Sequence, residues 1–320
     1  MSSTIGTLGE FGLIARITAR FPATDDVVLG PGDDAAVVRA PDSRVVATTD
    51  LLVEGRHFRR DWSSPRDVGH KAAAQNLADV AAMGARPTAL LVGFAAPADL
   101  PVAWAEEFSE GLRAECSTAG AAVVGGDIVR SDTLTVAITA LGDLRGAPPV
   151  RRDGAAPGDL VAVVGDLGLS AAGLALLQAG LADREPTCPA AHRRPAPPYA
   201  AGPAAAELGA TAMIDVSDGL VQDLGHIAAA SNVRVALRGA ALRAPAALVE
   251  AVGTLARAGA PLRSPLDFML AGGEDHALAA TFPSGTALPS EWTVIGEVVE
   301  GTGVTVDGSV PAVAGWDHFG

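Results

Sequence analysis

Residues 30–35 are Gly30-Pro31-Gly32-Asp33-Asp34-Ala35, a stretch that places two adjacent carboxylates between turn-forming residues and a short apolar run. Neighbouring Asp side chains repel each other unless a cation or solvent relieves the repulsion, and glycine lets the backbone come close to whatever that cation holds. Acidic residues recur in four other short stretches, which are Thr48-Thr49-Asp50, Asn76-Leu77-Ala78-Asp79, Gly125-Gly126-Asp127 and Asp215-Val216-Ser217-Asp218-Gly219. We expect the chain to fold so that these carboxylates surround several divalent metal ions.

The composition is typical of a soluble globular protein with two domains. A chain of 320 residues can form two cores, and 49% hydrophobic residues with 19% charged residues exclude the disordered and collagen-like classes. The longest apolar runs are too short to cross a bilayer, and residues 1–10 lack the basic start and apolar centre of a secretory signal. Cys116 and Cys188 are too few for a disulfide framework. We therefore expect a cytoplasmic protein with two reduced thiols, Cys116 in a helix and Cys188 in a Pro-rich loop.

The charge balance limits the partners that the protein can bind. A formal net charge of −14 argues against nucleic acid, because no basic stripe is available to displace counterions from a phosphate backbone. Lys71 is the only lysine, and no Gly-x-x-x-x-Gly-Lys-Ser/Thr motif occurs, so a phosphate site of the P-loop or protein-kinase type is excluded. A bound phosphate would have to be held by metal ions on carboxylates, by backbone amides or by arginines.

The first half of the chain predicts an α+β domain of alternating strands and helices. A helix is predicted from Ser64 to Met83, because Ser suits the cap position and Pro65 the first helical position. Asn76 and Asp79 share one face of this helix, and a buried Asp79 would need a partner such as a metal ion. Predicted strands cover residues 35–38, 45–49, 89–95, 121–124 and 133–141, with Asp50 at the end of the second. Gly and Pro cluster over residues 142–150, which predicts domains spanning residues 1–146 and 147–320.

The second half predicts an α/β domain by the same alternation. Its predicted strands cover residues 160–164, 211–214, 233–237, 276–282 and 292–299. Its predicted helices cover residues 169–179, 200–208, 218–230 and 245–258. The Pro-rich segment 183–198 is expected to be an irregular surface excursion.

Each acidic motif also has a purely structural interpretation. Ser217 or Asp218 could cap the helix that follows, although a cap needs only one such side chain. Gly125-Gly126-Asp127 alone fits a tight turn, and Gly272-Gly273-Glu274-Asp275 fits a helix end followed by solvated acids. His57 would by default be a surface or loop histidine. The joint occurrence of the motifs favours a metal-dependent nucleotide enzyme over these separate explanations.

The ordered motifs resemble the thiamine-monophosphate kinase family, part of a superfamily that includes aminoimidazole ribonucleotide synthetase and selenophosphate synthetase. The similarity extends from Glu10-Phe11 to Gly315-Trp316-Asp317-His318-Phe319. It rests on Gly32-Asp33-Asp34-Ala35, Thr48-Thr49-Asp50, Gly55-Arg56-His57-Phe58, the run from Asn76 to Gly84, Gly125-Gly126-Asp127, Asp215-Val216-Ser217-Asp218-Gly219-Leu220 and Gly272-Gly273-Glu274-Asp275.

The resemblance implies an activity, a fold and an assembly. The activity is transfer of the γ-phosphoryl group of ATP to thiamine monophosphate, which gives thiamine diphosphate. The fold is that of the aminoimidazole ribonucleotide synthetase superfamily, with an N-terminal α+β domain for ATP, metal and dimer contacts and a C-terminal α/β domain. Two copies would form a homodimer through a shared β-barrel.

The resemblance also implies roles for individual residues. The Mg²⁺ ligands would be Asp33, Thr48, Thr49, Asp50, Asp79, Asp127, Asp215 and Asp218. The ATP contacts would be Gly126, Asp127, Arg152 and Ser217, and the thiamine monophosphate contacts would be His57, Glu274 and Trp316. The number of metal ions and a requirement for K⁺ stay open.

No residue stands out as a general base, and the chemistry explains why none is needed. A phosphate monoester has a second pKa of about 6, so the acceptor is already largely a dianion at neutral pH. We therefore expect direct in-line transfer assisted by Mg²⁺. The alternatives are another ATP-dependent enzyme of the superfamily, close to aminoimidazole ribonucleotide synthetase, a metal-dependent phosphohydrolase, and a non-catalytic metal-binding module.

Overall fold

The computed structural model describes residues 4–31, 35–261, 263–312 and 315. The chain divides into two compact units, of which unit 1 comprises Met1–Val80 and Ala85–Gly146, and unit 2 comprises Ala81–Gly84 and Ala147–Gly320. Within the described ranges, no helix combines the length and apolar character needed to span a membrane.

Unit 1 combines helices with a mixed sheet. Its elements are α1 (Ile5–Leu8), α2 (Glu10–Thr18), β1 (Val27–Leu29), β2 (Val37–Val38), β3 (Val46–Val53), α3 (Pro65–Ala82), β4 (Arg86–Ala96), α4 (Val102–Ala119), β5 (Ala122–Arg130) and β6 (Thr135–Asp143). The main sheet has the strand order β3-β6-β4-β5, with β4 and β5 parallel and the other neighbours antiparallel. β1 and β2 form a separate antiparallel pair.

Helix α3 confirms the sequence signal at its start. The Ser64 backbone amide donates to the carboxylate of Asp67 at 2.9 Å, and the Asp67 amide donates to the hydroxyl of Ser64 at 3.2 Å. This reciprocal capping satisfies two amides that the helix itself leaves unpaired. Two glycines then let α3 and α4 touch through their backbones: a Cβ on Gly69 would lie 2.0 Å from the carbonyl oxygen of Phe108, and a Cβ on Gly111 would lie 2.1 Å from that of Arg66.

Unit 2 places its helices around one larger sheet. Its elements are β7 (Leu160–Val164), α5 (Leu169–Gln178), α6 (Thr187–Arg193), α7 (Ala201–Glu207), β8 (Ala212–Asp215), α8 (Leu220–Ser231), β9 (Arg234–Leu237), a 3-10 turn (Gly239–Ala241), α9 (Ala246–Arg257), α10 (Pro265–Ala271), β10 (Leu278–Phe282), β11 (Thr293–Val299) and β12 (Gly303–Val306). The strand order is β12-β9-β11-β7-β10-β8, and within this sheet β12 and β9 are the only described neighbours that pair in parallel. The central strands β7 and β10 and the edge strand β8 are almost wholly buried.

Three local predictions are wrong, and each error has a physical cause. Asp50 does not end its strand, because β3 continues to Val53 and pairs with β6 along its whole length. Gly125-Gly126-Asp127 is not a tight turn but part of β5, where a shift of register against β4 accommodates the glycines. Segment 183–198 is not irregular throughout, because Pro186 and Pro189 lie at the cap and in the first turn of α6, where proline is tolerated. Cys188 is consequently helical and fully buried.

Candidate active site

Two of the predicted metal ligands in unit 1 are joined by a hydrogen bond. The hydroxyl of Thr48 on β3 donates to the carboxylate of Asp79 on α3 at 2.8 Å. Next to this pair, the side-chain oxygen of the buried Asn76 accepts the backbone amide of Asp50 at 3.0 Å. Asp79 is half-buried, whereas the helix pattern suggested a buried carboxylate. It has a protein partner in Thr48, in addition to any metal ion. The arrangement aligns carboxylate and hydroxyl oxygens, which are the hard donors that Mg²⁺ prefers.

The side chain of Thr49 lies on the other face of the sheet. Alternate residues of a strand point to opposite faces, so Thr48 and Asp50 share one face and Thr49 occupies the other. The Thr49 hydroxyl donates to the backbone carbonyl of Ile138 at 2.8 Å. If Thr49 is a metal ligand at the same site as Thr48, it has to act through a backbone atom.

Asp127 lies on β5, the edge strand of the unit 1 sheet. Its carboxylate is exposed and accepts the amide of Ile128 at 2.9 Å. Position 126 has no room for a side chain, because a Cβ on Gly126 would lie 2.0 Å from the carbonyl oxygen of Val92 on β4. The glycine therefore keeps β5 close to β4 directly before the predicted ATP-contacting carboxylate.

His57 belongs to a loop directly after β3. Its Nδ1 accepts the backbone amide of Val53 at 3.0 Å, which fixes the ring against the end of the strand. Glu54, Gly55, Arg59, Arg60 and Asp61 line an open cavity of about 470 Å³ in the same loop region. His57 is half-buried rather than a freely solvated histidine.

In unit 2, Asp215 is the last residue of β8, and Ser217 and Asp218 lie in the loop that leads to α8. The expected capping by Ser217 or Asp218 is wrong: Asp223, one turn into α8, accepts the backbone amides of Asp218 and Gly219, both at 3.0 Å. Burial, with the negative charges of Asp215 and Asp218 adding to it, raises the pKa of Asp223 to about 7. Because Asp223 fixes the loop backbone, capping no longer explains the side chains of Ser217 and Asp218.

Residues 272–276 form a second loop that lies against the first. The amide of Glu274 donates to the carbonyl of Ser217 at 2.7 Å, and the amide of His276 donates to that of Val216 at 2.9 Å. Gly273 makes the approach possible, since a Cβ there would lie 2.4 Å from the Ser217 oxygen. Nδ1 of His276 is 3.1 Å from the buried carboxylate of Asp215, so the two loops also meet through side chains.

Of the two acids of this second loop, Asp275 is not solvated, contrary to the expectation from sequence. Asp275 is buried and accepts the amides of Gly168 and Ser170 at 2.6 and 2.8 Å, which caps the N-terminus of α5. Burial raises the pKa of Asp275 to about 7, although these hydrogen bonds and the nearby His276 act in the opposite direction. Glu274 is partly exposed and lies 3.3 Å from Nδ1 of His192 on α6.

The segment that carries Arg152 runs beside β8. The carbonyl of Arg151 accepts the amide of Met213, and the carbonyl of Arg152 accepts the hydroxyl of Ser231 at 2.8 Å. The Arg152 side chain itself is exposed. The backbone at residues 151 and 152 is therefore held by Met213, two residues before Asp215 on β8, and by Ser231 of α8.

Two predicted site residues, Asp33 and Trp316, lie outside the described residues. Gly315, next to Trp316 in sequence, is described, and a Cβ on it would lie 2.4 Å from the carbonyl oxygen of Asp218. Within the described ranges, no group of three or more His, Cys, Asp or Glu side chains is close enough to hold a metal ion. The metal assignments therefore stay predictions.

Sequence reasoning missed four residues of this region, Ser170, His192, Asp223 and His276. Asp223 carried a usable signal, because an acid in the first turn of a helix is a common partner for unpaired amides. Ser170, His192 and His276 carried none, since their partners are 22 to 105 residues away in sequence.

The fold, with acidic residues on β3, α3 and β5 of unit 1 and around the loop between β8 and α8 of unit 2, is that of the AIR synthase related proteins. The family model for the N-terminal domain of that class matches residues 32–144, and the model for its C-terminal domain matches residues 156–309. A thiamine-monophosphate kinase of Mycobacterium tuberculosis is 50% identical, with 100% of this chain and 94% of the relative covered. The chain belongs to the thiamine-monophosphate kinase family.

Solved structures agree with this family. The crystal structure of thiamine-monophosphate kinase from Stenotrophomonas maltophilia K279a matches with a TM-score of 0.82 and 36% identity, covering 95% of this chain and 98% of that one. A structure of AaThiL complexed with AMPPCP and TMP matches with a TM-score of 0.80 and 35% identity, covering 100% of both chains. The two-domain fold predicted from the motifs is thereby confirmed.

Proposed function

We propose that this chain transfers the γ-phosphoryl group of ATP to the phosphate of thiamine monophosphate, forming thiamine diphosphate and ADP. The observation that carries the proposal is the full-length match to a protein with AMPPCP and TMP bound. The described residues that are predicted to contact these ligands are His57, Gly126, Asp127, Arg152, Ser217 and Glu274. The reaction class is phosphotransfer to a phosphate acceptor.

The donor set fits Mg²⁺. The described residues predicted to hold it are Thr48, Thr49, Asp50, Asp79, Asp127, Asp215 and Asp218, and each offers carboxylate, hydroxyl or carbonyl oxygen. When bound, Mg²⁺ would neutralise the phosphate charges of both substrates. We extend the proposal to Asp33, and we keep K⁺ as a further cation to be tested.

The protein's own contribution is to position the two anionic substrates, and the reaction needs no general base. Asp223 and Gly273 fix the loops that present Asp215, Ser217, Asp218 and Glu274. Gly126 and the anchored backbone at Arg152 present the predicted ATP contacts. Because the acceptor phosphate is already largely ionised at neutral pH, attack needs orientation rather than proton removal. We propose transfer without a phosphorylated enzyme.

A coupled assay of ADP release tests the activity. The expected result is ADP formation that requires ATP, Mg²⁺ and thiamine monophosphate together, with thiamine diphosphate as the second product. ATP loss without an acceptor would favour a phosphohydrolase, and stimulation by a formylglycinamidine nucleotide instead would favour a synthetase of the superfamily. Label retained on the protein after incubation with γ-labelled ATP alone would contradict direct transfer.

We also propose that the protein is a homodimer formed through unit 1. Leu51, Leu91 and Val129 are 53%, 37% and 50% exposed on β3, β4 and β5. The strand register places all three on the face of the sheet that carries Thr49, opposite to Thr48 and Asp50. The same face carries Thr49 and the exposed Asp127, and the apolar part formed by Leu51, Leu91 and Val129 suits burial against a second copy.

A cytoplasmic location completes the proposal. ATP and a reducing environment are both available there, and the two thiols are free and buried in the structure. Fractionation of cells that express the chain with an epitope tag would test this location directly.

A further inference from the structure

Helix α6 brings a buried histidine to the predicted acceptor site. His192 is only 4% exposed, and its Nδ1 lies 3.1 Å from the hydroxyl of Ser170 and 3.3 Å from the carboxylate of Glu274. Glu274 is the residue that family position assigns to thiamine monophosphate. The Pro-rich segment 183–198, which had no assigned role, therefore contacts a residue of the proposed site.

The helix that carries His192 is held rigidly. A Cβ on Gly173 of α5 would lie 2.0 Å from the carbonyl oxygen of Cys188, so the two helices touch through their backbones. The carboxylate of Glu185 accepts the amides of Thr187 and Cys188 at 3.0 and 2.9 Å, which caps α6. Both contacts limit the movement of the imidazole relative to α5.

The grouping of Ser170, His192 and Glu274 is not a nucleophilic triad. In a triad the two nitrogens of the histidine serve different partners, one the nucleophile and one the acid. Here both partners approach the same atom, Nδ1. Ser170 is also only 1% exposed, so its hydroxyl cannot reach a substrate.

A hydrogen bond from His192 to Glu274 requires the tautomer with hydrogen on Nδ1, because an ionised carboxylate only accepts hydrogen bonds. In that tautomer the Ser170 hydroxyl, 3.1 Å from the same Nδ1, is a second acceptor for the one hydrogen. The Ser170 amide in turn donates to Asp275 at 2.8 Å. A chain of polar contacts thus runs from the start of α5 through His192 to Glu274.

Glu274 is restrained at both of its ends. Its backbone amide binds the Ser217 carbonyl at 2.7 Å, and its carboxylate contacts His192. About a third of the side chain, 35%, stays exposed, which leaves carboxylate surface for a ligand. A carboxylate in this setting suits the cationic thiazolium or the aminopyrimidine of thiamine monophosphate, whereas it would repel the phosphates of ATP.

We propose that His192, held by Ser170, is a positioning residue that orients the Glu274 carboxylate for recognition of the phosphate acceptor. The inference rests on the proposed function, and it makes α6 an element of acceptor selectivity rather than of ATP binding. Restraint of a contact residue before binding raises affinity by removing the ordering that binding would otherwise require.

Steady-state kinetics of variants at His192 test the inference. His192→Ala and His192→Gln should each raise the KM for thiamine monophosphate about tenfold, while the KM for ATP changes less than about twofold. His192→Asn should recover most of the loss, because the Asn amide places a donor close to the position of Nδ1. His226→Gln, at an exposed position of α8, is the matched control and should leave both KM values unchanged.

A double-mutant cycle with Glu274→Gln separates positioning from folding. If His192 acts through Glu274, adding His192→Gln to Glu274→Gln should raise the KM for thiamine monophosphate by less than about twofold more. The inference would be overturned if the two substitutions raised the KM for thiamine monophosphate by factors that multiply in the double variant. Equal increases in the KM values for ATP and thiamine monophosphate, together with a lowered melting temperature, would also overturn it. If the His192 variants fail to fold, Ser170→Ala provides the test. This variant should raise the KM for thiamine monophosphate by a smaller factor and leave the KM for ATP nearly unchanged. Wild-type protein that does not use thiamine monophosphate would overturn the proposed function, and this inference with it.

Discussion

The hydroxyl of Thr48 hydrogen-bonds to the carboxylate of Asp79, whereas the hydroxyl of the next residue, Thr49, bonds to the carbonyl of Ile138 on the other face of the sheet. Two consecutive threonines of β3 thus have different surroundings, although the sequence motif treats them alike. This difference supplies a matched pair of variants for the predicted metal site.

We expect Asp79→Asn to lower kcat/KM about 100-fold or more and to raise the Mg²⁺ concentration needed for half-maximal activity. Thr48→Val should lower kcat/KM about tenfold, because the Asp79 carboxylate loses the donor that orients it. Thr49→Val should change kcat/KM less than about twofold, since Thr49 can reach this site only through its backbone atoms and valine keeps them. ADP release at varied Mg²⁺ measures all three, and equal losses at residues 48 and 49 would contradict the assignment.

Gly273→Ala should damage the loop that carries Glu274. The added methyl group would lie 2.4 Å from the Ser217 oxygen, so the two loops have to separate. We expect a loss of about 1–3 kcal/mol in the free energy of unfolding, together with reduced turnover.

Gly225→Ala is the control for this variant. Gly225 is inside α8 and its Cβ would meet nothing within 4 Å, so alanine should stabilise the helix by about 0.5–1 kcal/mol. Denaturant unfolding of both variants provides the comparison. Similar unfolding midpoints for the two would refute the proposed close contact.

Asp275 should make the stability depend on pH in a defined window. Its pKa is raised from 3.8 to about 7 in the folded protein, so between these values the folded state holds a proton that the unfolded state has lost. The stabilising contribution is complete below pH 4 and is lost as the pH rises to 7, with a slope of at most about 1.4 kcal/mol per pH unit.

The measurement is the difference in unfolding free energy between wild type and Asp275→Asn. This difference should shift in favour of the variant as the pH rises from 4 to 7, and it should be constant above pH 8. A difference that grows in favour of the wild type over the same range would show that the pKa of Asp275 is lowered instead.

Leu51→Glu should dissociate the proposed dimer, because it places a charge among the exposed apolar side chains of this sheet face. Val249→Glu is the matched control: Val249 is 51% exposed, similar to the 53% of Leu51, but it lies on α9 of unit 2. Sedimentation velocity should show a monomer for the first variant and a dimer for the second. A wild-type protein that sediments as a monomer would refute the proposed assembly.

Local signals in the sequence were sufficient for much of the fold. Ser64 and Pro65 marked the start of α3 because capping involves only neighbours in the chain, and the apolar run 160–164 coincides with β7. The error at residues 183–198 came from weighting proline as a helix breaker without regard to position. In α6 the prolines occupy the cap and the first turn, where their missing amide is harmless.

The site was harder to predict, because its contacts join distant parts of the chain. The motifs predict a set of acids for the site, but they do not predict that Asp275 is buried at the start of α5 or that His192 contacts Glu274. The difference between Thr48 and Thr49 depends on which face of the sheet α3 covers, and that is a property of tertiary packing. The roles of Asp33 and Trp316 stay predictions from the resemblance.

Glu274 and His276 share one more feature, a left-handed backbone with φ of 62° and 55°. Such conformations cost about 1–3 kcal/mol each for residues other than glycine, and glycine would adopt them freely. At His276 the contact with the buried Asp215 offsets this cost, but at Glu274 a selection for thermal stability alone would favour glycine and remove the carboxylate. Heat resistance and the proposed recognition of the acceptor are thus set in opposition at a single residue.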